Sequence, residues 1–305
     1  MRAVRWHKPL LALAAVMVAL ALVSVVGLVV DQRVITGAPL WAKPLKFAIS
    51  IAVYAVTLAW LVGLLGRWRR TAWWTGTVSA VFLAVEAVVI VGAAAAGTTS
   101  HFNVSTPLAT GVWAVMAASI SIVWIAAVPV AIMLVRTPLG DPARSLAIRA
   151  GLVIALVGMA LAFLMTGPTP GQLADYRGIV GAHTVGAADG TAGLPLLGWS
   201  TVAGDLRVPH FVGMHALQVL PLAALLLEVL AARVQPLADA ATRARIVLVL
   251  TVFYAGALTA LTVQALGGQS VVRPDAPMIA VWATLVGGAA AAIATVLRAR
   301  RRSPA

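Results

Sequence analysis

Residues 9–30 read Pro-Leu-Leu-Ala-Leu-Ala-Ala-Val-Met-Val-Ala-Leu-Ala-Leu-Val-Ser-Val-Val-Gly-Leu-Val-Val, a run without a single charge. At about 1.5 Å per residue a helix of that length reaches roughly 33 Å, enough to cross the hydrocarbon of a bilayer. Seven further runs of the same kind follow, at about 45–66, 73–97, 108–135, 148–167, 208–232, 246–267 and 278–298. In hydrocarbon every backbone N–H and C=O needs a partner within its own segment or in a closed barrel, and continuous Ala, Leu and Val runs select helices over alternating barrel strands. The sequence therefore predicts an all-α fold, a polytopic transmembrane helical bundle of about eight spans, read as one membrane domain over residues 1–305.

Composition points the same way: 62% of the 305 residues are hydrophobic, 10% are charged, and the mean hydropathy is +1.00. The first run follows Arg2, Arg5 and Lys8 as a secretory signal would. Its apolar stretch is too long for one, and no small-x-small cleavage pattern precedes Asp31, so it is read as a retained helix. Cysteine is absent, which excludes disulfides, thiolate metal sites and cysteine nucleophiles.

The net charge of +13 would suggest nucleic acid in a soluble protein, but the basic residues are distributed by topology. Sixteen fall on one side of the predicted membrane: Arg2, Arg5, Lys8, Arg67, Arg69, Arg70, Arg136, Arg144, Arg149, Arg233, Arg243, Arg245, Arg298, Arg300, Arg301 and Arg302. Six fall on the other: Arg33, Lys43, Lys46, Arg177, Arg207 and Arg273. The positive-inside rule then places both termini in the cytoplasm and the chain in the cytoplasmic (inner) membrane, its basic loops beside anionic headgroups. The lipid bilayer is the partner this implies, and nucleic acid is not needed; the homo-oligomeric state is left open.

With His7 in the cytoplasmic tail, the other four histidines, His101, His183, His210 and His215, all fall on the outer side, as do Asp175, Asp189, Asp205 and Asp275. The longest connection, residues 168–207, is also outer. It carries Gly181, Gly186, Gly190, Gly193, Gly198 and Gly204, a composition that suits a lid folded over a site and equally a flexible linker.

The segment Asp205-Leu-Arg-Val-Pro-His-Phe-Val-Gly-Met-His-Ala-Leu-Gln218 opens the sixth span. Pro209 suits a first helical position, so the helix is expected to begin near Val208. His215 then lies about 7.5 Å deeper than His210 and is rotated from it by roughly 140°, so the two do not chelate one ion. Gln218 is placed to orient His215, Gly213 leaves room for a flat group, and Arg207 joins His210 and Asp205 at the mouth. His101 sits in the polar turn Thr98-Thr-Ser-His-Phe-Asn103 at the same membrane level. Lys43 and Lys46, at the outer start of the second span, oppose both the positive-inside bias and the helix dipole, and would hold an anionic group there. Glu86 lies near the middle of the third span with no basic residue expected at its depth, a candidate proton relay or ion ligand. Glu228 is read as interfacial, near Arg233.

A Schiff-base lysine in a late helix, the His-Glu-x-x-His zinc motif, a potassium filter and a nucleotide loop are all absent. Trp-x-Lys-Pro-Leu-Lys-Phe at 41–47, Ser-His-Phe-Asn at 100–103, Gly-Ala-His-Thr at 181–184 and Gly-Asp-Leu-Arg-x-Pro-His-Phe-x-Gly-x-His-x-x-Gln at 204–218 together resemble a group of multi-span, actinobacterial-type bacterial membrane proteins. That resemblance implies the architecture and carries no chemistry.

Three functional readings follow. The first is a b-type haem clamped by His101 and His215, its propionates met by Lys43, Lys46 or Arg207, passing electrons to a quinol or an extracytoplasmic redox partner. The second is a membrane enzyme that holds zinc or copper with His101, His183, His210, His215 and Asp205. The third is a proton-coupled transporter or sensor in which Glu86 carries the proton and the outer lysines and histidines bind an anion.

Overall fold

A computed structural model describes residues 5–35 and 37–302; Arg2, counted above among the inner charges, lies outside the described residues, and for Arg301 and Arg302 only the backbone is described. The long helices are α1 (Lys8–Val30), α2 (Ala42–Gly63), α3 (Arg69–Ala95), α4 (Pro107–Val135), α5 (Pro142–Ala160), α7 (Arg207–Leu230), α8 (Ala240–Leu266) and α9 (Ala276–Arg302). A short helix, α6 (Pro170–Ala174), and two two-stranded pairings complete the regular structure: β1 (Val34–Ile35) with β2 (Ala38–Pro39), and β3 (Thr184–Val185) with β4 (Gly204–Asp205), both antiparallel.

Among the described residues eight helical stretches are long and apolar enough to cross a membrane. The chain is an all-α, multi-pass membrane protein. Large apolar side chains point outward along these helices, among them Val16, Leu22 and Val29 on α1 and Leu222 and Val229 on α7, where lipid takes the place that water would otherwise fill.

The chain divides into two compact units. The first comprises residues 1–133, 163–183 and 188–200 and holds α1 to α3, nearly all of α4, and α6. The second comprises residues 134–162, 184–187 and 201–305 and holds α5, α7, α8 and α9 with the β3–β4 pair.

In the first unit α1, α2 and α3 pack on one another, and the α1–α2 connection is a tight strap. Asp31 caps the end of α1, pairs through its carboxylate with Arg33 and accepts from the Trp41 indole N–H at 3.0 Å. Arg33 beside it holds the Asp31 carboxyl well below the usual carboxylate range. The Trp41 ring lies where a Cβ on Gly27 would stand, so the start of α2, which bears Lys43, is fixed against the last turn of α1. At the opposite end of these helices His7 is buried rather than loose in a tail. Its Nδ1 accepts from Leu10 N–H, which leaves the ring proton on Nε2, and Nε2 donates to Trp73 C=O at 3.0 Å. Its own N–H bonds Ala59 C=O, tying together the ends of α1, α2 and α3.

In the second unit α5 and α7 pack most extensively against each other. A Cβ on Gly158 would lie 2.3 Å from Gly213 carbonyl carbon, and one on Gly151 2.8 Å from Ala216 oxygen. Small residues let these backbones touch, the usual way helices gain van der Waals contact where lipid supplies no hydrophobic drive. Asp141 caps α5, accepting from Ala143 and Arg144 N–H, and pairs with Arg243 of α8 at 2.7 Å. Glu228 pairs with Arg144 of α5 rather than with Arg233, because Arg144 faces it across the α5–α7 contact while Arg233 has left the helix.

Several boundaries differ from those expected. α8 begins at Ala240 and not 246, since Asp239 caps it by accepting from Thr242 N–H and its first turns are polar. α5 likewise starts at its Asp141 cap. α7 starts at Arg207, with Pro209 inside the first turn, where a missing N–H costs nothing.

Candidate functional site

The 168–207 connection has structure of its own. Thr169 opens α6 with a capping box completed by Gln172, whose amide also bonds Gly181. Asn103 bridges to Ile179, and Val104 and Val180 bond across to Gly178 and Phe102. These bonds hold the segment that carries His183 against the α3–α4 turn that carries His101, both within the first unit.

Here the sequence-predicted residues converge in part. Lys43 Nζ lies 3.1 Å from His101 Nδ1. A protonated lysine only donates, so Nδ1 is an acceptor and the ring proton sits on Nε2. Ser100 Oγ stands 3.0 Å from the same nitrogen. Around the imidazole stand the rings of Phe47, Phe102 and Trp113, with centroids 5.7, 6.0 and 5.6 Å away. This burial holds His101 well below its usual range, with the charge of Lys43 and then that of His183 acting in the same direction; His101 is neutral at pH 7. Lys43 also lies within electrostatic reach of Glu86, which is buried on α3, about 14 Å along the axis from its last residue. Lys46, one turn on from Lys43, donates to Leu197 C=O at 3.1 Å.

His183 is oriented by Asp189: its ring Nδ1 lies 2.6 Å from Oδ2, and its backbone N–H bonds both carboxylate oxygens at 3.0 Å. With a carboxylate oxygen at that distance, Nδ1 carries a proton and donates it to Asp189. Phe102 packs against both His101 and His183, 4.9 Å from the latter. Its φ of +64° is in the left-handed region that a bulky L-residue rarely adopts. Ser100 and Phe102 enter the sequence reading only through the Ser-His-Phe-Asn stretch at 100–103, and Trp113 not at all.

The second unit holds the remaining candidates. His210 Nδ1 donates to Gly158 C=O at 2.8 Å, across the α5–α7 contact. His215 Nδ1 lies 3.2 Å from Gln218 Oε1, three residues on, and the Phe211 ring packs on it at 4.3 Å. Asp205 is buried and clasped by Arg207, at 2.9 and 2.6 Å. Asp175 is paired with Arg177, and Asp275 bonds Met278 N–H at the start of α9.

Among the described residues no three His, Asp or Glu side chains gather as ligands for one metal ion, so His101, His183, His210, His215 and Asp205 do not form a ready metal cluster. A haem iron or a zinc ion takes a histidine through a nitrogen lone pair, while the other ring nitrogen donates to a neighbour. His183, His210 and His215 each set Nδ1 against an acceptor oxygen, whereas Nδ1 of His101 is engaged by Lys43.

No protein-family model, no curated protein and no solved structure matches the chain.

Proposed function

We propose that this multi-pass protein sits in the cytoplasmic membrane with both termini inside, and that the outward-facing Lys43–His101 end of its first unit binds an anionic solute whose movement or detection is linked to a proton at Glu86. The observation that carries this reading is the ammonium of Lys43, at the outer start of α2, set 3.1 Å from His101 Nδ1. The bond to Lys43 fixes a neutral imidazole with an N–H on Nε2, a hydrogen-bond donor for a carboxylate or phosphate oxygen. Lys43, and Lys46 one turn on, supply the charge. An anion that engages Lys43 draws that positive charge away from Glu86, so a proton taken up at Glu86 restores the balance. By linkage the proton in turn favours the anion. The aromatic rings around His101 lower the local dielectric and strengthen each of these interactions.

The test is uptake of inorganic phosphate, acetate and succinate by the full chain in proteoliposomes under an imposed pH gradient. Glu86→Gln is expected to abolish proton-linked uptake of the transported anion while the protein stays folded, and Lys43→Met to raise the half-saturating concentration at least tenfold. Uptake that is unaltered in Glu86→Gln counts against the reading.

One observation favours a second reading, in which a histidine of the second unit ligates b-type haem, zinc or copper for redox chemistry with a quinol or an extracytoplasmic partner. His210 and His215 both set Nδ1 against an acceptor oxygen, the orientation in which metal-ligating histidines are held by a neighbour. A Soret band or stoichiometric metal in the purified protein, lost in His215→Ala, would support it.

A further inference from the structure

The second unit contains a crevice at the C-terminal end of α8 that the anion reading leaves unused. Asp205, Gln264 and Gln269 line it together with Val208, Leu261 and Val271. Gly204 is held so close to the end of α8 that a Cβ would lie 2.0 Å from Ala265 oxygen, which presses β4, and Asp205 with it, onto the helix terminus.

Two side-chain oxygens of these lining residues are buried and have no hydrogen-bond partner: Gln264 Oε1 and Gln269 Oε1. Gln264 is only 3% exposed. Its orientation is not arbitrary, because its amide nitrogen donates to Ser270 C=O at 2.9 Å; a flipped amide would set oxygen against oxygen. Buried polar atoms are almost always satisfied, and a pair of orphaned acceptors in one crevice calls for an occupant that supplies positive charge or protons. A sodium ion is bound by oxygen ligands of this kind. The end of α8 adds the partial negative charge of a helix C-terminus, a feature used for monovalent cations in membrane proteins. Asp205 is already balanced by Arg207 at 2.6 Å, so the crevice is dipolar rather than strongly anionic. That suits a monovalent ion and disfavours a divalent one.

We propose that Asp205, Gln264 and Gln269 form a sodium-binding site that locks β4 to the ends of α7 and α8. The site is independent of the Lys43–His101 reading, and each stands or falls by itself. The experiment measures the thermal unfolding midpoint of the full-length protein in detergent, titrating NaCl against choline chloride at constant ionic strength, with direct ²²Na⁺ binding beside it. Sodium is expected to raise the midpoint saturably while choline does not. Gln269→Leu removes one oxygen at a partly exposed position that tolerates change, and is expected to weaken the sodium response roughly tenfold; Gln269→Glu, which keeps an oxygen there, is expected to retain it. Equal midpoints in sodium and choline with no bound ²²Na⁺ would overturn the proposal, as would a sodium response that Gln269→Leu leaves unchanged.

Discussion

Gly158→Ala introduces one methyl group into the α5–α7 contact, and the structure gives its size. The new Cβ would stand 2.3–2.4 Å from Gly213 Cα and carbonyl carbon and 2.4 Å from Met214 nitrogen, where carbon atoms prefer about 3.5–4 Å. These are backbone atoms of a helix, so no side chain can swing away; the helices must part by more than about 1 Å locally. Overpacking of that kind costs about 1–3 kcal/mol. The separation also pulls His210 Nδ1 from Gly158 C=O, now 2.8 Å away, with a further loss of about 1 kcal/mol. Alanine's better helix propensity returns up to about 1 kcal/mol. The net expectation is a destabilisation of about 1–3 kcal/mol. Gly92→Ala is the control, since a Cβ there meets nothing within 4 Å and gains only the propensity. Reversible unfolding of both variants in mixed micelles reads the difference. If Gly158→Ala is as stable as Gly92→Ala, the close α5–α7 packing is wrong.

Two further outcomes are expected. Asp141→Ala removes both the α5 cap and the pair with Arg243 and is expected to lose about 1–2 kcal/mol through the cap, whereas Asp141→Asn keeps a capping oxygen and gives up only the ion pair; equal losses in the two would contradict the capping role. His7 is held below its usual value of 6.5 by burial, against the opposing hydrogen bond to Trp73, so the unfolded chain takes up its proton first. Stability is therefore fully present above pH 6.5 and declines as pH falls below it. His7→Asn, a capping residue that does not titrate, is expected to flatten that decline, and a variant whose stability falls with pH as steeply as the parent's would refute the assignment.

The spans were legible because lipid-length apolar runs need no partner to be recognised. The polar ends of helices were less so. The first turns of α5 and α8 carry Arg144, Arg243 and Arg245 and read as loop by hydropathy, and only the aspartate caps at 141 and 239 extend the helices back over them. Lys43 and His101 were each visible as misplaced polar residues, but their meeting across 58 positions depends on the packing of helices that periodicity does not specify. For the same reason the sequence sets Glu228 near Arg233 along the chain, while in space its partner is Arg144. Spacing alone did carry the His215–Gln218 contact, since positions three apart share a helix face. His7 reads as a tail residue in sequence because a cap is a geometric role, and a histidine before Lys-Pro is weak evidence for one.

The state of the His101 ring tests the proposed anion site most directly. ¹⁵N-histidine NMR of the purified protein at pH 7, assigned with His101→Gln, reports which ring nitrogen holds the proton. The expected result is a neutral ring protonated at Nε2, whose resonance shifts on adding the anion that proves to be transported and no longer shifts in Lys43→Met. A ring protonated at Nδ1, or an Nε2 resonance indifferent to phosphate, acetate and succinate alike, would contradict it.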